Sequence, residues 1–139
     1  MRKLTKEYLK DLTYRVNGAA IEVHKHLGPG LLESVYHQFL CLELQLRGIR
    51  FQREYQIEVD YKGHKTNTRL RCDLLIEGVL VVELKSVEAI HPIHTAQVMS
   101  YMKLLRVPKG IIFNFNVFNL YRDGQETYVN EYFQALLHK

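Results

Sequence analysis

The sequence predicts an α/β fold of the α+β kind, a mixed sheet flanked by helices, and three observations carry that prediction. Two long N-terminal segments repeat their apolar residues at three- and four-residue steps, the period of a helix. Three β-rich runs with turn signals between them follow at close spacing. A helical segment opening at Pro92 then separates these runs from one more apolar stretch, "GIIFNF". Helices packed on a hairpin-containing sheet bury all of these apolar faces at once.

In chain order, Leu9, Leu12, Val16, Ala19, Ala20, Val23 and Leu27 mark an amphipathic helix from Thr5 to about Leu27. The "LGPG" that follows breaks it. A second helix is expected from about Leu31 to Arg47, stopped by Gly48, with Leu32, Val35, Tyr36, Phe39, Leu42 and Leu46 as its buried stripe. A first strand is expected over Arg50 to Tyr61, a turn at "YKGHK", a second strand over Thr66 to Ile76 and a third over Val79 to Ser86. Pro92 suits the first turn of the next helix, which ends before Pro108. Gly110 to Phe115 is a fourth, buried strand; beyond it a hairpin about Asp123-Gly124 and a short terminal helix are expected. The core order is thus α-β-β-β-α-β, with an extra N-terminal helix and a C-terminal tail.

The 139 residues suit one domain spanning positions 1–139, with no linker or internal repeat in view. No apolar run approaches the length of a membrane span, and the basic start "MRK" leads into no apolar signal region. Cys41 and Cys72 form no C-x-x-C motif and read as free buried thiols, which fits a cytoplasmic protein. A net charge of +4 permits an anionic partner without demanding one. There is no G-x-S-x-G, no P-loop and no dinucleotide fingerprint in a fitting context. His91 and His94 straddle a helix start without a third ligand, and His24 and His26 do not share a helix face, so zinc is not expected.

One strand breaks the apolar pattern. In "VVELKS", Val81, Glu83 and Lys85 share a face, because side chains alternate along a strand. The face is apolar until Glu83, and an unpaired buried charge is costly. A plain Glu83–Lys85 ion pair at the strand's exit is one reading. The other brings in Asp73 on the preceding strand. A two-residue loop at Glu77-Gly78 would pair Ile76 with Val79 and turn Glu83 away from Asp73. A three-residue loop, or a bulge, would set the two acids on one face. Two carboxylates with one lysine lack a positive charge, which a divalent ion bound through oxygen would supply. Acids in that arrangement suit metal-assisted attack on a phosphodiester.

Asp73 together with "ELK" (Glu83-Leu84-Lys85), in this element order, resembles the PD-(D/E)XK nuclease superfamily and its restriction-endonuclease-like fold. More narrowly, "GLLESVY" (Gly30 to Tyr36) resembles the G-x-x-E-x-x-Y signature of the GxxExxY protein family, a branch of that superfamily. "EVHKHLGPG", "HTAQVMSYMKL" and "IIFNF" extend the likeness over most of the chain. One departure is Cys72, which stands where a proline often precedes the first acid; it is expected to point away from Asp73, to the opposite face of the sheet. The resemblance implies Asp73 and Glu83 as direct metal ligands and Glu33 as a third acid supporting the metal or its waters. It implies Lys85 as the group that orients the attacking water, and Gln97 as a hydrogen-bonding partner of water or substrate. Three acids against Lys85 and Mg²⁺, for which Mn²⁺ would substitute, make a near-neutral set. His24 and His94 match family positions and would support the site. Glu33 also suits a helix dipole, Tyr36 would orient Glu33 or only pack, and Tyr101 would extend the Gln97 contact or fill the core.

The implied activity is a metal-dependent nuclease acting on DNA or RNA. Arg47, Arg50, Arg53, Lys62, Lys65, Arg69 and Arg71 either track phosphates or are ordinary solvated charges. The small size leaves little room for a recognition domain, which favours two alternatives: a non-catalytic binding or interaction module on this scaffold, or a homodimer that grips a duplex with two copies. A carboxylate-pair glycosidase fits less well, because Lys85 stands beside the acids.

Overall fold

A computed structural model describes residues 3–139; Met1 and Arg2, the beginning of the basic start, lie outside the described residues. Helix α1 (Lys6–Leu27) begins where expected, with the Thr5 side chain accepting a hydrogen bond from the Tyr8 N–H at 3.1 Å. Helix α2 (Glu33–Leu46) follows, and Gly48, at φ +69°, lies just past its end. The remaining elements are β1 (Phe51–Gln56), β2 (Asp60–Tyr61), β3 (His64–Lys65), β4 (Arg71–Ile76), β5 (Leu80–Lys85), α3 (Pro92–Leu105) and β6 (Lys109–Asn114). A short π-helix (Leu120–Gly124), β7 (Gln125–Val129) and α4 (Glu131–Gln134) complete the chain.

The main sheet has five strands in the order β1-β4-β5-β6-β7. Only the β5–β6 pair is parallel. That pair needs a crossover, which α3 supplies. On one face α1 and α2 pack on Leu74, Ile76, Leu80, Val82, Leu84, Ile111 and Phe113. On the other, Val98, Tyr101 and Met102 of α3 pack on Leu75, Val81 and Ile112. The fold is therefore mixed α+β, with a five-stranded mixed sheet flanked by helices, as expected.

Several expectations are corrected. Of the expected stripe of α2, Tyr36 is buried, but Leu40, Cys41 and Leu44 complete the buried face in place of the others. Leu32, Phe39, Leu42 and Leu46 face solvent. Apolar residues surround most of this helix, so a 3.6-residue period admits more than one stripe, and tertiary packing chooses. Tyr36 anchors the buried face by stacking on Phe115, with ring centroids 4.4 Å apart. The first two expected strands are shorter than anticipated, and β2 and β3 pair with each other as a separate ribbon about the Lys62-Gly63 turn. No hairpin forms within the 116–129 stretch; instead β7 pairs back on β6, and Gly124 ends the π-helix between them. A Cβ at Gly124 would collide with the Asn114 carbonyl, so the close approach requires glycine.

Candidate active site

The β4–β5 connection sets the geometry. The paired residues are Leu74–Val82, Leu75–Val81 and Ile76–Leu80, which leaves Glu77, Gly78 and Val79 as a three-residue loop. The Val79 N–H donates to the Ile76 carbonyl at 3.0 Å, and Glu77 and Gly78 take φ values of +51° and +70°. This is the odd loop that the paired acids require, and it carries Asp73 opposite Glu83.

Backbone pairing stops at Leu74 and Val82, and side chains take over. The Asp73 N–H donates to Glu83 Oε2 at 2.6 Å, and the Leu84 N–H donates to Asp73 Oδ2 at 2.8 Å. The two carboxylates thus lie between the parting strands and accept the bonds that a ladder would otherwise hold. The simple Glu83–Lys85 ion pair does not form among the described residues.

Strands β1 and β4 change face at this level. Phe51 packs with the α1/α2 cluster, while Tyr55, four residues on, packs with the α3 cluster. Likewise Leu74 and Ile76 belong to the first cluster and Cys72 to the second. Strict alternation forbids both. The register nevertheless runs straight through, with Arg53 opposite Leu74 and Tyr55 opposite Cys72. Glu54, standing across from Asp73, absorbs the change with a positive φ of +48°. Cys72 does not share the cleft that Asp73 lines with Glu33 and His37 of α2. It is buried on the α3 side with Val81, the face to which alternation also assigns Glu83. Burial, and then the nearby acids Glu83 and Asp73, push the Cys72 thiol up to about 12, so it stays protonated beside them.

The three acids lack positive charge. Glu83 is only 4% exposed, and burial followed by the Asp73 charge pushes its carboxyl up to about 8, against the pull of the Asp73 N–H and Lys85. Burial also raises Asp73, against the Leu84 hydrogen bond. Glu33, at the first residue of α2, is raised by partial burial and then by the Asp73 charge. Like charges that cannot all ionise share their protons as a set. Among the described residues, no three His, Cys, Asp or Glu side chains close into a ready metal cage. The donor chemistry fits Mg²⁺ even so: the groups are all carboxylate oxygens, and their raised values mark a deficit that a divalent cation would fill.

Other expected residues take distinct places. Lys85 ends β5 and lines a cleft with His94 and Gln97. His94 Nδ1 accepts the His91 N–H at 3.1 Å and so caps α3. Desolvation and then the Lys85 charge hold its imidazole below the usual value. Tyr101 is 5% exposed and faces the acids; burial and then Glu83 raise its hydroxyl, and the Gln97 side chain lies beside it. Tyr36 does not orient Glu33. Its hydroxyl donates to the Gly28 carbonyl at 2.5 Å and accepts the Leu31 N–H at 3.1 Å, fastening the "LGPG" loop. His24 Nε2 bonds the Val117 carbonyl at 2.7 Å, which ties α1 to the loop after β6.

Three residues, Asn114, His37 and Glu54, escaped the sequence reading, and a fourth, Arg53, was named there only among scattered basic residues. Asn114, buried next to Lys85 on β6, accepts the Val87 N–H at 3.1 Å and donates to the Val87 carbonyl at 3.0 Å, clamping the turn that leaves β5. A lone amide inside "IIFNF" was its signal. His37, one turn after Glu33, bonds the Asp73 carbonyl at 3.2 Å; its i+4 spacing was readable. Glu54 and Arg53 enter through the face switch on β1, which leaves no sequence signal.

A family model of the PD-(D/E)XK nuclease superfamily matches residues 10–127. No curated protein and no solved structure gives a significant match. Acids on two adjacent strands, a lysine two positions past the second acid and an α+β sheet of this order agree with that match. The chain belongs to the PD-(D/E)XK nuclease superfamily.

Proposed function

We propose that the chain is a metal-dependent nuclease that hydrolyses phosphodiester bonds in DNA or RNA, acting as one domain, in the cytoplasm, within the GxxExxY branch. The observation that supports this best is Asp73 and Glu83 facing each other across two parting strands, with Lys85 at the exit of the second. In this reading Asp73 and Glu83 hold Mg²⁺ (or Mn²⁺) and Glu33 supports it or its waters. When bound, the ion supplies Lewis-acid stabilisation of charge on the phosphoryl oxygens. Lys85 orients the attacking water and meets developing negative charge as a point donor. Gln97, in the same cleft, hydrogen-bonds water or substrate. Tyr101 walls the site, and His94 holds the start of the helix that carries Gln97.

The test is cleavage of single-stranded, duplex and branched DNA and of RNA in Mg²⁺, Mn²⁺ or EDTA, with Glu83→Ala and Lys85→Ala beside the unaltered chain. Metal-dependent cleavage lost in both variants is expected. Cleavage that survives both sinks the assignment. One observation favours a second reading, a non-catalytic module: both carboxylates already accept backbone N–H bonds. Absence of both cleavage and Mn²⁺ binding by calorimetry would select it. Sedimentation with and without duplex would test whether two copies act together.

A further inference from the structure

Beside the acids lies a cleft of about 710 Å³ whose walls include Glu33 and His37 of α2, Arg53 and Glu54 of β1, and Asp73 of β4. Its cation is held in an unusual way. Arg15, Arg47, Arg50 and Arg122 each lean on a carboxylate, those of Asp11, Glu43, Glu77 and Asp123. Arg53 forms no ion pair among the described residues; its Nη2 reaches His37 Nδ1 at 3.4 Å. The other ring nitrogen, Nε2, bonds the Asp73 carbonyl at 3.2 Å. One imidazole thus spans the Asp73 backbone and the Arg53 guanidinium. A ring nitrogen, unlike a carboxylate, places the guanidinium without bringing a negative charge to it. Arginine's planar fork suits phosphate oxygens.

We propose that Arg53 is a phosphate-binding residue, positioned by His37, that grips a backbone phosphate of the nucleic-acid strand next to the one that meets Asp73 and Glu83. The inference rests on the nuclease reading and adds where the strand runs: from the acids along the α2–β1 cleft. His37 links the two places, because one imidazole touches both the Asp73 backbone and the Arg53 side chain. Glu33, Glu54 and Asp73 in the same cleft oppose an anion. The grip is therefore expected to need a divalent cation, and Arg53 is the cleft's own positive charge.

The test uses the full chain and a fluorescent forked DNA, with affinity followed by anisotropy across salt concentrations in Ca²⁺. Losing one phosphate contact lowers the slope of log affinity against log salt by about one. Arg53→Ala is expected to lower it so and to weaken binding roughly 3- to 10-fold at low salt. Arg50→Ala, which removes a carboxylate-paired arginine, is expected to leave the slope unchanged. His37→Glu supplies a carboxylate to Arg53 and should lower the slope like Arg53→Ala. Gln38→Glu adds the same charge in the same cleft and should not, and His37→Gln should retain the grip. Circular dichroism of each variant verifies the fold. An Arg53→Ala slope equal to that of Arg50→Ala overturns the proposal whether or not the protein cleaves DNA. No binding by the unaltered chain overturns it together with the nucleic-acid reading. Loss of cleavage with the slope difference intact would break only the catalytic assignment.

Discussion

The two ends of the β4–β5 hairpin are closed by different chemistry. At the turn end, Ile76 pairs with Leu80, the Val79 N–H meets the Ile76 carbonyl, and the flanking side chains are buried and apolar. At the open end, three residues away, Asp73 and Glu83 accept the neighbouring N–H groups with side-chain oxygens. Backbone pairing carries no ionisable group, and the loop's acid, Glu77, turns to Arg50 rather than to the Val79–Ile76 bond. The open end ties two N–H groups to acids whose protonation is contested. It can exchange its partners for a cation without unpicking the sheet, because β5 remains paired with β6 along its whole length. A rigid strand and a replaceable seam lie within one hairpin.

The largest effect expected is on rate. Lys85→Ala should lower cleavage on the order of 10²- to 10³-fold, as does the loss of a group that meets developing charge. Its thermal midpoint should stay within a few degrees, because Lys85 forms no ion pair among the described residues. A parallel collapse in stability would mean that the open end is structural. The next effect is on pH. Glu83 binds its proton more tightly folded, with a value of about 8 against 4.5 for an ordinary glutamate. Between these values the folded state holds more protons than the unfolded one, so stability falls as pH rises. In EDTA, Glu83→Gln should therefore gain stability relative to the unaltered chain from pH 5 to pH 8, by on the order of 2 kcal/mol, while losing cleavage. Urea titrations at the two pH values check this. A gap that does not change with pH would refute the protonation account.

Legibility in the sequence follows the same division. Regular periods were readable: α1, α3 and the apolar strands, whereas the loop length that decides whether Asp73 meets Glu83 was left open between two residues and three. The acids and Lys85 stood out because charge interrupts an apolar face. The phase of α2 was misread, because Leu32, Phe39 and Leu42 are as apolar as Leu40 and Leu44, and packing against α1 and the sheet selects between them. The face switch at Glu54 and Asp73 was hidden for a different reason. Glutamate has no preference for positive φ, and a change that leaves the register intact inserts no residue to notice. The side of the sheet that Tyr55 takes and the meeting of Arg53 with His37 went unseen as a consequence. What tertiary structure imposes locally, against propensity, is what the sequence concealed, and it lies at the site.

The smallest effect sharpens the comparison from the turn end. Gly78 has φ +70°, and the space around a Cβ there is empty, so Gly78→Ala meets no clash and only backbone strain. The cost should be about 1 kcal/mol. Because no titratable group takes part in the Val79–Ile76 bond, the loss should be equal at pH 5 and pH 8, unlike the Glu83→Gln difference. Register should hold, because slipping it would turn the whole buried set of β5 to the wrong face. Cleavage per folded molecule should then match the unaltered chain. Urea titration at both pH values with a parallel rate assay reads all of this. A Gly78→Ala protein that folds with its stability nearly unchanged but loses Mn²⁺ binding would show that the loop conformation tunes the distance between Asp73 and Glu83. The two ends would then be one mechanical unit rather than two.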